Sequence, residues 1–254
     1  MKIFPIKTHK IRPGEQNLFE ILDRYLKILK ERSIVVITSK IISICQGRVV
    51  KTEKADKKKL IKKEAEYFLP STESKYGITL TIKGNLLLPT AGIDKSNGGG
   101  YFILYPENPQ KTANEVRKYL IGRFLIKKLG VIITDSKTTP LRRGTIGVAI
   151  AHSGFVALNN YIGKRDIFGR KLKVTKGNVL DALAAAAVLV MGEGKEQTPL
   201  VIIEDAPFVK FQNRDPLEKE IQDFYLNMAD DIYAPLLKSV KWQKGGSYIN
   251  RYKK

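Results

Sequence analysis

The sequence predicts an α+β fold in which mixed sheets pack against helices. Short apolar runs bounded by turn residues alternate with stretches of helical period, and 43% of the 254 residues are hydrophobic, with charge spread along the whole length. Leu18, Ile21, Leu22, Tyr25, Leu26 and Leu29 keep helical spacing and predict a helix over 15–30. The run SIVVITS at 33–39 reads as a buried strand. The densest basic run, 54–63, is interleaved with Glu53, Asp56, Glu64 and Glu66, and Leu60, Ile61, Phe68 and Leu69 could form the inner stripe of a helix whose other face is solvated. Two strands, 77–83 and 84–90, meet at a tight Lys83-Gly84-Asn85 turn. A second helix is expected over 109–129, followed by a buried strand, 130–134, that ends abruptly in Asp135, and by a strand over 144–151. Residues 178–191 form a helix apolar almost all round and therefore buried; Gly192 and Gly194 stop it, and 199–204 is a further buried strand. There is no internal repeat. Two units are expected: a main domain over 1–207 and an appended helical, basic segment over 208–254. The tail after Lys238 holds Trp242, Gly245-Gly246, Tyr248 and Tyr252 and reads as a loosely held end or an arm that docks on a partner subunit.

Forty-five Lys and Arg against 25 Asp and Glu give a net charge of +20, a positive field that concentrates polyanions without choosing among them. Neither an aromatic RNA-binding motif nor a helix-turn-helix pattern is present, so nucleic acid is not the expected partner. The single Cys45 allows neither an intramolecular disulfide nor a CxxC zinc site. No apolar stretch of about 7–15 residues near the start suggests a signal peptide, and no run approaches the roughly 20 residues of a membrane span. A cytoplasmic protein is expected.

Phosphate-loop, dinucleotide and HExxH motifs are missing; Gly192-Glu193-Gly194 has Gln197 where a third glycine would fall and follows a helix instead of a strand. Cys45 in an apolar stretch suits packing better than catalysis, and His152 beside Ser153-Gly154 is either an acid–base group or a satisfied structural histidine. Acidic residues beside glycine, hydroxyl and amide groups remain: Asp94 and Asn97 ahead of Gly98-Gly99-Gly100, Asp135 next to Ser136, and Glu193 after the apolar helix. Mg²⁺ and Mn²⁺ take hard oxygen ligands, usually a few carboxylates together with nucleotide phosphates, so these acids make a metal–nucleotide site if they converge. Taken singly, Asp94 and Asp135 also read as turn or capping residues. Arg142-Arg143-Gly144 and Lys164-Arg165-Asp166 through Gly169-Arg170 could clamp phosphates or carboxylates, or form surface ion pairs.

Six blocks follow in one order: Thr38-Ser39-Lys40 with Gly47-Arg48; AGID-x-SN at 91–97; GVIITDS at 130–136; RRG-xx-G at 142–147; G-x-RD-x-x-GR at 163–170; and MGEG at 191–194. Each is weak alone, but together, over about residues 1–205, they resemble the γ-glutamyl ligase family that attaches glutamate to the precursor of the deazaflavin coenzyme F420. The resemblance implies an intertwined homodimer with that family's α+β fold and an amide-bond ligase dependent on GTP and on Mn²⁺ or Mg²⁺, with K⁺ a further candidate. It implies that Asp94, Asp135, Ser136 and Glu193 bind the metal and that Asp135 and Arg143 serve catalysis. It also implies that His9, Lys10, Ile11, Arg12, Ser39, Lys40, Asn97, Met191, Gly192 and Gly194, with the 191–198 loop, hold the nucleotide. The γ-phosphate would move onto a carboxylate of an anionic coenzyme acceptor, and the glutamate amine would attack the acyl phosphate, with no covalent side-chain nucleophile needed. A folate is the alternative acceptor, and a basic nucleotide- or nucleic-acid-binding module without catalysis is the alternative function. This chain departs from the family at Ile44-Cys45-Gln46, at Lys137-Thr138-Thr139 and at Leu88-Pro89-Thr90; Arg12, Lys40 or Lys137 could replace a cation the family carries there.

Overall fold

The computed structural model describes residues 1–70, 72 and 75–248. In chain order the elements are β1 (Lys2–Ile6), α1 (Leu18–Tyr25), β2 (Ile34–Thr38), α2 (Ser39–Cys45), β3 (Val49–Lys51), α3 (Lys57–Glu64), β4 (Tyr67–Phe68), β5 (Leu80–Lys83), β6 (Leu86–Pro89), β7 (Tyr101–Ile103) and α4 (Pro109–Phe124). The chain continues through β8 (Gly130–Lys137), β9 (Ile146–Ser153), β10 (Leu158–Asn160), β11 (Lys176–Asn178), α5 (Val179–Met191), β12 (Leu200–Glu204), α6 (Glu218–Phe224), α7 (Ala234–Leu237) and β13 (Gln243–Lys244). The α+β expectation holds.

A five-stranded mixed sheet, ordered β1-β12-β2-β8-β9, forms the centre; β2 and β8 run parallel and the other pairs antiparallel. Alternate residues of β2 point to opposite faces: Val35 and Ile37 pack with α1, α2 and α4, whereas Ile34 and Val36 pack with α5. A strand covered on both sides must be apolar throughout, which is why 33–39 reads as an unbroken hydrophobic run. β1 lies at the sheet edge, where Pro5, which has no N–H to donate, is tolerated.

A smaller layer stands beside this sandwich. Its four strands are ordered β13-β4-β5-β6, with β3 and β7 as a separate ribbon, and Ile61, Ala65, Phe68, Ala91, Ile93, Phe102 and Leu104 form its own apolar cluster. Residues after 205 lie against both halves. The Gln212 N–H donates to Gly154 O (2.8 Å), the buried Arg117 donates to Gln212 O (3.3 Å) and pairs with Asp215 (3.4 Å), and β13 pairs with β4. The Gly245, Gly246 and Ser247 amides donate to Glu66, Lys62 and Ala65 carbonyls of the same chain. The sequence reading of a loosely held end is thus corrected for 243–248; Tyr252 lies outside the described residues.

Several element boundaries differ from the sequence expectation for local reasons. The first helix spans only Leu18–Tyr25, because the Asn17 side chain accepts from the Glu20 N–H at its start and Leu26 is already extended; Leu26 and Leu29 are buried from irregular chain. Ser39 opens α2 instead of closing β2. Phe68 belongs to β4 and not to the helical stripe, and the helix expected to reach 129 stops at Phe124, where Leu125 is left-handed. β8 does not end at Asp135 but continues to Lys137 past an irregularity between Ile133 and Thr134, and β9 starts at Ile146 and runs through Ser153. The apolar helix α5 is buried along one face only: Leu189 is 81% exposed. The tight turn falls at Gly84-Asn85, both with positive φ, as the hairpin requires.

Candidate active-site cleft

The parallel pair places two functional stretches side by side. Thr38 pairs with Thr134, so Ser39-Lys40, just past the carboxyl end of β2, lie beside Asp135-Ser136 in the last residues of β8, the place where sheets with parallel strands commonly receive ligands. α5 delivers Glu193 just beyond its end at Met191, and the loop that follows returns to the sheet through the Thr38 N–H bonded to Pro199 O (3.0 Å). The smaller layer contributes the opposite wall: after β6 the chain turns sharply at Thr90–Gly92, and Asp94 is bridged to Ile103 by two backbone hydrogen bonds.

Together these walls enclose a cleft of about 640 Å³. Asp94, Asp135, Ser136, Glu193, His9, Lys10, Ile11, Arg12, Ser39, Lys40, Asn97, Met191, Gly192 and Gly194 all line it. Arg143 does not; it is exposed in the loop between β8 and β9. The Ser136 hydroxyl lies 3.3 Å from Glu193 Oε2, and the Asn97 amide donates to Gly194 O (2.7 Å), tying the two walls together at the rim. Ile44 is a buried part of an apolar wall shared with Ile41, Ile103 and Leu104.

The two aspartates of the cleft are shifted in opposite directions. Burial pushes the Asp135 carboxyl up to about 7; the Ser136 N–H, 2.8 Å from Oδ1, opposes this, the Asp94 and Glu193 charges add to it, and Lys40 counteracts it. Burial also acts to raise Asp94, but hydrogen bonds from Lys40 Nζ (2.6 Å) and from the Ser96 hydroxyl and amide (both 2.7 Å), together with the Lys40 charge, outweigh it and hold this carboxyl below its ordinary value. Among the described residues, no three His, Cys, Asp or Glu side chains are already grouped closely enough to hold a metal ion. Lys40 is the cation seated on Asp94.

Two contributors were not legible as such. Tyr25 reads as a helix-packing residue, yet its hydroxyl accepts from the His9 N–H (2.8 Å) and bonds His9 Nδ1 (2.6 Å), holding the 8–12 segment at the cleft wall. Ser96, inside a recognised block, bonds both oxygens of Asp94. His152 and Cys45, weighed as reactive groups, are packed away from the cleft: His152 is 4% exposed with its ring edge-on to Phe155, and burial pushes it down to about 4, while burial pushes the Cys45 thiol up to about 11. Both therefore fall on the structural side of the alternatives. No described helix is long and apolar enough to cross a membrane.

A family model described as F420-0:Gamma-glutamyl ligase matches residues 5–205. The chain is 35% identical over 228 residues to a coenzyme F420:L-glutamate ligase of Methanococcus maripaludis, covering 83% of this chain and 91% of that protein. It is 33% identical over 254 residues to the protein of the same name from Methanocaldococcus jannaschii, covering 89% and 97% respectively. A third, from Methanopyrus kandleri, is 35% identical over 220 residues. The match spans the sheet, the apolar helix and every acid of the cleft, and it follows that the chain belongs to the F420-0:gamma-glutamyl ligase family and is an amide-bond-forming ligase.

Proposed function

We propose that this protein joins L-glutamate to a coenzyme F420-0-type acceptor, using GTP and a divalent cation, through an acyl phosphate. The observation that supports this most is the gathering of Asp94, Asp135 and Glu193, far apart in the chain, on one cleft. The donor set fits Mg²⁺ or Mn²⁺: carboxylate and hydroxyl oxygens, with one carboxyl pushed up to about 7 by burial and further by the Asp94 and Glu193 charges. In this reading Asp94, Asp135, Ser136 and Glu193 hold the ion, which when bound neutralises negative charge on the phosphates. K⁺ is a further candidate.

The chain's own groups then bind and orient. His9 to Arg12, Ser39, Lys40 and the Met191–Gly194 turn take the nucleotide, and Lys40, displaced from Asp94, offers its ammonium to phosphate oxygens. An acceptor carboxylate oxygen attacks the γ-phosphorus as the bond to the β-phosphate oxygen breaks, releasing GDP. The glutamate amine then attacks the carbonyl carbon, the C–N bond forms, and phosphate leaves while the amine loses a proton. Catalysis of this kind is chiefly positioning and charge stabilisation. A homodimer belongs to the proposal, and with it the assignment of the exposed Arg143 to the cleft of a second protomer.

The test is purified protein with GTP, Mn²⁺, glutamate and either an F420-0-type or a folate acceptor, scored by mass spectrometry for added glutamate. Asp135→Asn is expected to lower the rate by about 100-fold or more. An unchanged rate would remove Asp135 from the metal site, and glutamate added only to folate would move the acceptor.

A further inference from the structure

Resting on that reading of the cleft, we infer that Thr81, remote in sequence from every acid of the site, is a positioning residue that sets the place of Asp94 through a strained turn. Thr90, Ala91 and Gly92 are three consecutive left-handed residues, with φ of 57°, 53° and 71°. Two of them carry a Cβ, for which this conformation is disfavoured; such a run persists only where its surroundings over-determine it, and it is characteristic of functional sites.

The Thr81 hydroxyl supplies that determination. Thr81 is fully buried on β5, opposite Leu88 of β6. Its Oγ1 accepts from the Ala91 N–H (2.8 Å) and donates to Leu88 O (2.7 Å), so one hydroxyl spans the end of β6 and the centre of the turn. Ala91 is itself fully buried, leaving its N–H no water to turn to. The turn is closed on either side by the Thr90 N–H bonded to Thr79 O (2.9 Å) and by the Thr90 hydroxyl bonded to Ile93 O (3.1 Å). Asp94 follows after one residue, Ile93. Valine matches threonine in shape but lacks the hydroxyl, so Thr81→Val orphans the Ala91 N–H and favours release of the turn into ordinary backbone, carrying Asp94 away from Asp135 and Glu193.

The test compares wild type, Thr81→Val and Thr81→Ser. Affinity for Mn²⁺ alone is read from the electron paramagnetic resonance signal of unbound Mn²⁺, folding from far-ultraviolet circular dichroism, and ligation from kcat and KM for glutamate. Thr81→Val is expected to keep its fold, to bind Mn²⁺ about 10-fold or more weakly, and to lose kcat in similar proportion with KM for glutamate within about twofold; Thr81→Ser restores both. Equal Mn²⁺ affinity in wild type and Thr81→Val, including no binding by either, overturns the inference, as does a serine variant no better than valine. Should Thr81→Val fail to fold, Thr81→Cys, with its weaker hydrogen-bonding thiol, takes its place, and an affinity equal to wild type is again the overturning result. A wild type that binds Mn²⁺ yet ligates nothing sinks the ligase reading and leaves the Mn²⁺ comparison to decide on Thr81.

Discussion

Asp135 and Asp94 line the same cleft but are held there by different physics. Asp135 continues β8, a strand whose preceding residues are buried on both sides between α4 and α5, so its position follows from a core that any displacement would open. Asp94 hangs from a small layer of two- to four-residue strands and is placed by a left-handed turn, a buried hydroxyl and Lys40. Apolar packing thus fixes one wall of the site, and individual hydrogen bonds fix the other. Substitutions in the large sheet should cost global stability, whereas those in the small layer should cost site geometry first.

The largest effect is expected at Gly154, which follows β9 with φ +85° where an added Cβ would lie 2.0 Å from Leu129 O and 2.6 Å from Arg117 Nε. Gly154→Ala should lose about 3 kcal/mol or more in urea unfolding, or fail to fold. A loss under 1 kcal/mol would break the claim that this half tolerates no displacement.

The next two effects run against each other and separate the cleft from the core. In metal-free protein, Asp135 with its raised pKa binds a proton more readily folded than unfolded, so its contribution to stability falls as pH rises from about 4 to 7, by at most about 4 kcal/mol. His152, lowered to about 4, does the opposite: the unfolded chain takes up the proton first, so stability is lost as pH falls from about 6.5 to 4, by at most about 3 kcal/mol. The two slopes oppose each other in wild type. In chelator-treated protein, Asp135→Asn should gain stability at pH 8 and become more acid-sensitive, and His152→Gln should become less so; thermal melts across pH 4–8 check both. Parallel curves for all three proteins would discard these assignments.

The smallest effect is expected in the C-terminal strap, residues 243–248, which lies on β4. An added Cβ at Gly245 would lie 2.1 Å from Ala65 O, so Gly245→Ala should part β13 from β4 for about 1–2 kcal/mol and speed amide exchange around 62–68, while β2 and β8 keep their protection. Uniform loosening of both halves would show that they are not separable.

This contrast also governs how much could be read in advance. Runs such as IVVIT in β2 and GVIIT in β8 announce themselves because burial on both faces demands continuous hydrophobicity. The acids of the cleft were legible through ordered blocks of residue types. β1, with its half-exposed edge pattern and proline, was not, nor was the extension of β8 through Asp135, which no local signal separates from a strand end. The supporting roles of Tyr25 and Thr81 were hidden for another reason: a tyrosine on a helix face and a threonine in a strand are ordinary in sequence and acquire a role only from what their hydroxyls meet.

By itself the sequence determined the α+β class, the apolar interior of the large sheet, the strongly positive charge and which acids stand beside glycine, hydroxyl and amide residues, because each depends on residue type and on spacing within a single element. Only the tertiary structure decided that Asp94, Asp135 and Glu193 share a cleft, that Lys40 sits on Asp94, that Arg143 stays outside and that the strap returns to its own chain. Those are contacts between elements tens of residues apart, set by the pairing of β2 with β8 and by the turn at Thr90–Gly92 rather than by any local preference.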